Sequence, residues 1–210
     1  MKVENNRILH IASLTKGYDI VIDIGSDHGL VLKKAFDLGF IKKGIATDIN
    51  EGPLNQAKFN LKDYNVNYYL SDGFKNINEI YDLAIITGMG PNLIFNIIKN
   101  EIKENDFILG PNQKPYLLRK LLLENNFKMI EETIVYDGFF YIFFKVRKGE
   151  MALSNSEIYT GLNLKNKPLF KKYFIHKINK IQEIIIKTNK ERVNELRLIK
   201  SYYENMVEKL

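Results

Sequence analysis

Residues 1–150 alternate short, strongly apolar runs with longer stretches whose apolar residues recur every three or four positions. Strands buried on both faces read as continuous apolar runs, whereas covering helices need one apolar stripe, so this rhythm predicts a largely parallel sheet with helices on both sides. The pattern places strands at 20–24, 44–47, 67–70, 83–87 and 107–109, with a closing antiparallel pair at 128–136 and 139–146 turned by Gly138. Helices are expected at 30–38, 50–64, 91–99 and 115–125, three of them with a proline at or near the first turn (Pro53, Pro91, Pro115). The predicted fold is α/β with seven strands.

Beyond Met151 the strand signals stop. A polar segment leads into two helical stretches: Phe170, Phe174, Ile178, Ile181 and Ile185 share one face, and Val193, Leu196, Tyr203 and Val207 repeat the rhythm with Lys200 as an interruption. Thr188-Asn189-Lys190 suits a reversal, so an antiparallel, coiled-coil-like hairpin is expected, with one long helix as the alternative. The division is therefore a sheet domain at 1–150 and a helical extension at 151–210. Because the sheet completes its last strand at Val146, a chain ending near Glu150 is expected to keep its fold.

Charge sharpens that division. Residues 1–150 carry 19 Lys+Arg against 19 Asp+Glu, whereas 151–210 carry 12 against 6, so the formal surplus of +6 lies in the extension. No acid falls between Glu157 and Glu183, while Lys165, Lys167, Lys171, Lys172, Lys177 and Lys180 do, among aromatic residues. Such a patch suits a polyanion, nucleic acid before membrane; the alternative is an ordinary solvated lysine face. Cysteine is absent, which excludes disulfides, thiolate metal sites and a cysteine nucleophile, and the three histidines are scattered. With no bilayer-length apolar run and a short polar lead in place of a signal peptide, a cytoplasmic monomer without metal or membrane partner is expected.

In an open α/β sheet the ligand lies beyond the carboxyl ends of the strands. The first such turn is Asp23-Ile24-Gly25-Ser26-Asp27-His28-Gly29, and Asp48 ends the next strand, where an acid can take a ribose diol. The turn lacks the G-x-G-x-x-G order, and Asp23 and Asp27 would repel a pyrophosphate. A nucleoside with cationic groups turns those acids into partners, which points to S-adenosylmethionine. Asp72 can accept from an adenine amine with Gly73 giving backbone access, and Gly88-Met89-Gly90 leaves the backbone open where a methyl group must meet its acceptor. His28 is read either as a helix-start residue or as a contact to cofactor or acceptor.

DIGSDHG at 23–29, TDINEGPL at 47–54, SDG at 71–73, GMG at 88–90 and GPN at 110–112, followed by a basic helical tail, resemble the bacterial tRNA adenine-22 N1-methyltransferase family over essentially the whole chain. The resemblance implies a Rossmann-like class I methyltransferase fold that uses S-adenosylmethionine and acts on tRNA. It implies that Asp23, Gly25, Asp27 and Gly29 line the methionine part, Asp48 and Ile49 the ribose, Asp72 and Gly73 the adenine, and Gly88 and Met89 the floor beneath the methyl, with Ser26 and His28 of the same turn also expected as cofactor contacts. Asp27, Met89 and Asn112 become the catalytic candidates, and the six lysines the RNA-binding ones. Two departures stand out: Pro91 follows Gly90 where the family has a further glycine, and Gly110 replaces the family's glutamine before Pro111-Asn112.

Ring N1 of adenine owns an in-plane lone pair, so attack needs no prior deprotonation and catalysis reduces to positioning plus a carboxylate for the cationic product, for which Asp27 is the candidate. N1 also lies on the pairing edge, so the base must leave its stack, and the basic extension would hold the folded RNA meanwhile. Two competing readings are a small-molecule methyltransferase with a dimerisation hairpin and a non-catalytic RNA-binding module with a vestigial pocket.

Overall fold

The structure, a computed structural model, describes residues 6–101 and 105–210. The polar lead at 1–5 lies outside the described residues. After a short helix α1 (Asn6–Ser13) the chain runs β1 (Ile20–Ile24), α2 (Leu30–Asp37), β2 (Lys43–Asp48), α3 (Glu51–Asn60), β3 (Val66–Leu70), β4 (Leu83–Met89), α4 (Pro91–Ile98), β5 (Asp106–Pro111) and α5 (Pro115–Glu124). It continues through β6 (Phe127–Asp137), β7 (Phe139–Lys148), α6 (Asn155–Thr160), α7 (Lys167–Lys187) and α8 (Lys190–Lys209). The seven strands form one sheet in the order β3-β2-β1-β4-β5-β7-β6, parallel except where β7 runs antiparallel to both β5 and β6.

Strand side chains alternate between two cores. Ile22, Ile24, Ala84, Ile86, Phe107 and Leu109 point to one face, beneath α4, α5 and the C-terminal helices, while Val21, Leu83, Ile85 and Ile108 point to the other, beneath α1 to α3. This two-sided burial explains why the strands read as unbroken apolar runs. From β1 the chain steps outward to β2 and β3, then returns to place β4 on the opposite side of β1. The order therefore reverses between β1 and β4, and a crevice opens there above the strand ends.

All seven strands occur where the apolar runs place them. β4 extends two residues past the expected Thr87, because β5 also continues to Pro111 and pairs Met89 with it across a bulge at Gly88. α3 stops at Asn60 rather than 64, and Leu61 begins a turn. The polar segment after Met151 contains a helix, α6, that the sequence reading left out. It opens with a capping box in which the Ser154 hydroxyl accepts from the Glu157 N–H and the Glu157 carboxylate accepts from the Ser154 N–H.

The extension is a helical hairpin: Thr188 and Asn189 are extended, which breaks the continuous-helix alternative. Its packing argues against the expectation that a cut near Glu150 leaves the sheet intact. Phe170, Tyr173, Phe174, Ile181, Leu196 and Tyr203 are buried in the same core as Phe127, Ile134 and Ile142. Arg119 of α5 and Glu132 of β6 form a fully buried ion pair, Nη2 to Oε2 at 2.6 Å, and Arg119 Nη1 also donates to the carbonyls of Ile158 and Tyr159 at 3.0 Å each. Glu132 Oε1 accepts from the Leu162 N–H at 2.9 Å, so both charges depend on residues beyond 150 for their remaining hydrogen bonds.

Candidate active site

The crevice at the strand reversal is a cleft of about 720 Å³. Its floor begins with Asp23, the penultimate residue of β1, which is only 4% exposed. Burial, then the neighbouring Asp48 and Asp27 carboxylates, push its pKa up to about 7. The following loop is pinned by the N–H groups of Gly25 and Ser26, which both donate to the Thr47 carbonyl at 2.9 and 2.8 Å. Gly25 adopts φ +72°, and a Cβ there would stand 2.4 Å from Met89 Cε, so only glycine lets this loop pass beneath the end of β4 without displacing Met89.

Asp48, the last residue of β2, is buried and ties two loops together. Its Oδ2 accepts from the Asp27 N–H at 3.3 Å and its Oδ1 from the Asn50 N–H at 2.9 Å. Asp27 itself sits at φ +51° with its side chain largely exposed and Oδ1 3.5 Å from His28 Nε2. After β3, the Ser71 N–H donates to the Asp48 carbonyl, and the Ser71 hydroxyl lies against the Gly73 and Lys75 carbonyls. Asp72 points outward and pairs with Lys75 Nζ at 2.6 Å. After β5, Asn112 stitches β4 to β5: its N–H donates to the Met89 carbonyl at 2.9 Å and its Nδ2 to the Gly88 carbonyl at 2.6 Å.

Eleven of the twelve residues read from the sequence as cofactor contacts line this one cleft: Asp23, Gly25, Ser26, Asp27, His28, Asp48, Ile49, Asp72, Gly73, Gly88 and Met89. Gly29 is the exception, facing Leu61 and Ala57 behind the cleft. Asp27, Met89 and Asn112, the catalytic candidates, also meet there. Asn112 differs from expectation in one respect, since its amide nitrogen is committed to the Gly88 carbonyl and thereby shapes the β4 end. The wall contributed by Arg7 and Ile11 of α1, and by Leu93 and Ile97 of α4, was missed, because nothing in a helix's own pattern tells which end of the sheet it overhangs.

Chemically the cleft is a cation site with apolar walls. Four acidic residues, Asp23, Asp27, Asp48 and Asp72, line it, and the buried one, Asp23, holds its proton nearly to neutrality. A positively charged nucleoside relieves that repulsion, whereas a pyrophosphate would add to it. Among the described residues no group of three or more His, Asp or Glu is arranged to hold a metal ion, and no helix is long and apolar enough to cross a membrane.

The six lysines do not form one continuous face. Lys165, Lys167, Lys172 and Lys180 are exposed, with Lys180 Nζ 3.8 Å from Glu183, while Lys171 and Lys177 are half-buried. Lys177 lines a second groove and has no ion-pair partner among the described residues.

The sheet order and the acid-lined cleft at its reversal point define a Rossmann-like α/β domain. The chain belongs to the methyltransferase-domain family, whose model, "Methyltransferase domain", matches residues 4–144. It is 30% identical over 166 residues to a Mycoplasma pneumoniae protein named "Putative tRNA methyltransferase", covering 72% of this chain and 77% of that one. To the Bacillus subtilis tRNA (adenine(22)-N(1))-methyltransferase it is 28% identical over 140 residues, covering 62% of this chain and spanning 59% of the relative's length. Among solved structures, Streptococcus pneumoniae "putative tRNA (m1A22) methyltransferase, in complex with S-adenosyl-L-methionine" superposes with a TM-score of 0.83 at 25% identity, covering 96% of this chain and 98% of that one.

Proposed function

We propose that this chain transfers a methyl group from S-adenosylmethionine to ring N1 of adenine 22 in tRNA. The observation that carries the reading is that Asp23, Asp27, Asp48 and Asp72 line one cleft at the sheet's reversal point, a setting that favours a cationic sulfonium nucleoside over a phosphorylated one. The similarity to proteins named for this reaction supports the acceptor. When bound, the cofactor supplies an electrophilic methyl group on a cationic sulfur.

The chain's own residues then have separable roles. Asp23 would hold the cofactor's ammonium, which would stabilise the ionised carboxylate that burial otherwise disfavours. Asp48, oriented by the Asp27 and Asn50 N–H groups, would accept from the ribose. Asp72 would accept from the adenine amine in place of Lys75, beside Gly73 in the cleft lining. Met89 and Gly88 form the floor beneath the methyl, and Asn112 fixes that floor by holding the Gly88 carbonyl. Asp27, the most exposed of the four acids, is placed to balance the positive charge that develops on adenine as N1 attacks. Residues 151–210 contribute to holding the RNA. The reading is tested by incubating the full chain with S-adenosylmethionine and a tRNA transcript carrying A22, then digesting to nucleosides for mass spectrometry. Formation of 1-methyladenosine, lost when A22 is replaced by guanine, is expected; a methylated product elsewhere, or none, overturns it.

A further inference from the structure

A second groove, about 470 Å³, runs beside the cleft between the tip of the β6–β7 hairpin and α7. The two are continuous, because Arg7 and Asn112 line both. Their chemistry is opposite: the cleft gathers carboxylates, whereas the groove is lined by Arg7, Lys114, His176 and Lys177 and by no Asp or Glu. Asp137 accepts from the backbone N–H of the lining residue Arg7 at 3.2 Å. On the hairpin tip, Phe139 is 74% exposed, while Phe140 is fixed against Tyr173 and His176 at centroid distances of 5.6 and 5.7 Å. A large aromatic ring held out in water beside cations is a surface suited to base stacking next to phosphate.

We propose that this groove receives the nucleotide adjacent to the methylated adenine, with Lys177 contacting its phosphate and Phe139 stacking on its base. The inference rests on the tRNA-methyltransferase reading and names the place where the strand leaves the cleft. A base drawn from its stack drags its neighbours to the rim of the pocket, and beyond the rim shared through Arg7 and Asn112 this side presents Lys114, His176, Lys177 and the ring of Phe139. Burial lowers the pKa of Lys177, and among the described residues no carboxylate pairs with it, so a phosphate is the partner its surroundings lack. An acidic peptide would satisfy the cations but would leave Phe139 without a planar partner.

The test uses the full chain and an A22-containing tRNA transcript, comparing wild type with Lys177→Met, which keeps the aliphatic stem, and Phe139→Ala, which removes an exposed side chain. Lys177→Met is expected to weaken tRNA binding about tenfold and to flatten the plot of log affinity against log salt by about one unit, the share of one phosphate contact. Phe139→Ala is expected to weaken binding about tenfold with the salt slope unchanged, as for one lost stack. S-adenosylmethionine affinity by calorimetry should stay at the wild-type value in both, which also reports that the domain is folded. If wild type binds and methylates the tRNA but Phe139→Ala binds as tightly with the same salt slope, or a folded Lys177→Met does, the groove proposal falls and the methyltransferase reading stands. If wild type neither binds nor methylates the tRNA, the reading falls and takes the groove with it.

Discussion

Arg119 and Glu132 face each other in the core with no exposed side-chain surface, and the carboxylate accepts from both Nε and Nη2 of the guanidinium. The pair lies where α5, β6 and α6 meet, and it bonds the backbone of residues 158, 159 and 162 directly. Removing one partner leaves an uncompensated charge in the interior. Glu132→Ala is expected to cost about 3 to 5 kcal/mol in urea unfolding, the usual range for a broken buried pair. A loss below about 1 kcal/mol would mean that water reaches Arg119.

The same geometry sets the fate of a shortened chain. Ending at Glu150 strips Arg119 and Glu132 of their backbone partners and exposes the face that Phe170, Tyr173 and Phe174 cover. Such a chain is expected to unfold at lower denaturant than the full protein or to aggregate. A monodisperse fragment with full-length stability and unchanged S-adenosylmethionine affinity would refute this.

Asp48→Ala is expected to weaken S-adenosylmethionine binding by about 1 to 3 kcal/mol, the cost of stranding hydrogen-bond partners in a buried site. The Asp27 and Asn50 N–H groups lose their acceptor at the same time, so the loop should loosen without global unfolding. Calorimetry on the variant checks the affinity, and circular dichroism its fold.

Asp23 should make cofactor binding pH-dependent. Its folded pKa of about 7 lies above the ordinary 3.8, so the stability it contributes to the free protein is complete below pH 3.8 and lost as pH rises to 7. A cationic ligand favours the ionised form, so binding should expel a proton below pH 7. S-adenosylmethionine affinity is expected to rise with pH by at most about tenfold per unit toward pH 7 and then to level off. Calorimetry in buffers of different ionisation enthalpy measures the proton released, and Asp23→Asn should abolish the release.

Gly25→Ala tests the contact between the first loop and Met89. The left-handed backbone at φ +72° costs about 1 kcal/mol or more for alanine, and the new Cβ would displace the end of Met89. The variant is expected to lose both stability and cofactor affinity. Adding Met89→Ala should recover the steric part and leave the backbone cost, so a double variant no better than the single one would place the whole penalty in the backbone.

The strand ends carried most of the site's chemistry in linear form. In a parallel sheet every strand delivers its last residues to the same edge, so Asp23, Asp48, Asp72 and Gly88 are brought together by topology alone once the strands are correctly placed. Gly29 was assigned to the pocket by its motif, but a position one step further along the turn faces α3 instead. Arg7 and the α4 wall were invisible, since a helix pattern gives a buried face and no indication of what that face overhangs.

For the extension the sequence specified two amphipathic helices and a charge surplus, both of which are local or additive properties. Whether the helices stand apart from the sheet or complete its core depends on contacts between residues far apart in the chain. Arg119 and Glu132 read as ordinary surface charges until the fold buries them against residues 158–162, and Lys177 reads like its five neighbours until helical geometry turns it into a groove. Periodicity and strand-end chemistry determined the fold class and the composition of the cleft, because both are written in residues close in sequence. The tertiary structure alone decided which charges are desolvated, because desolvation depends on what packs above a residue and not on the residues beside it.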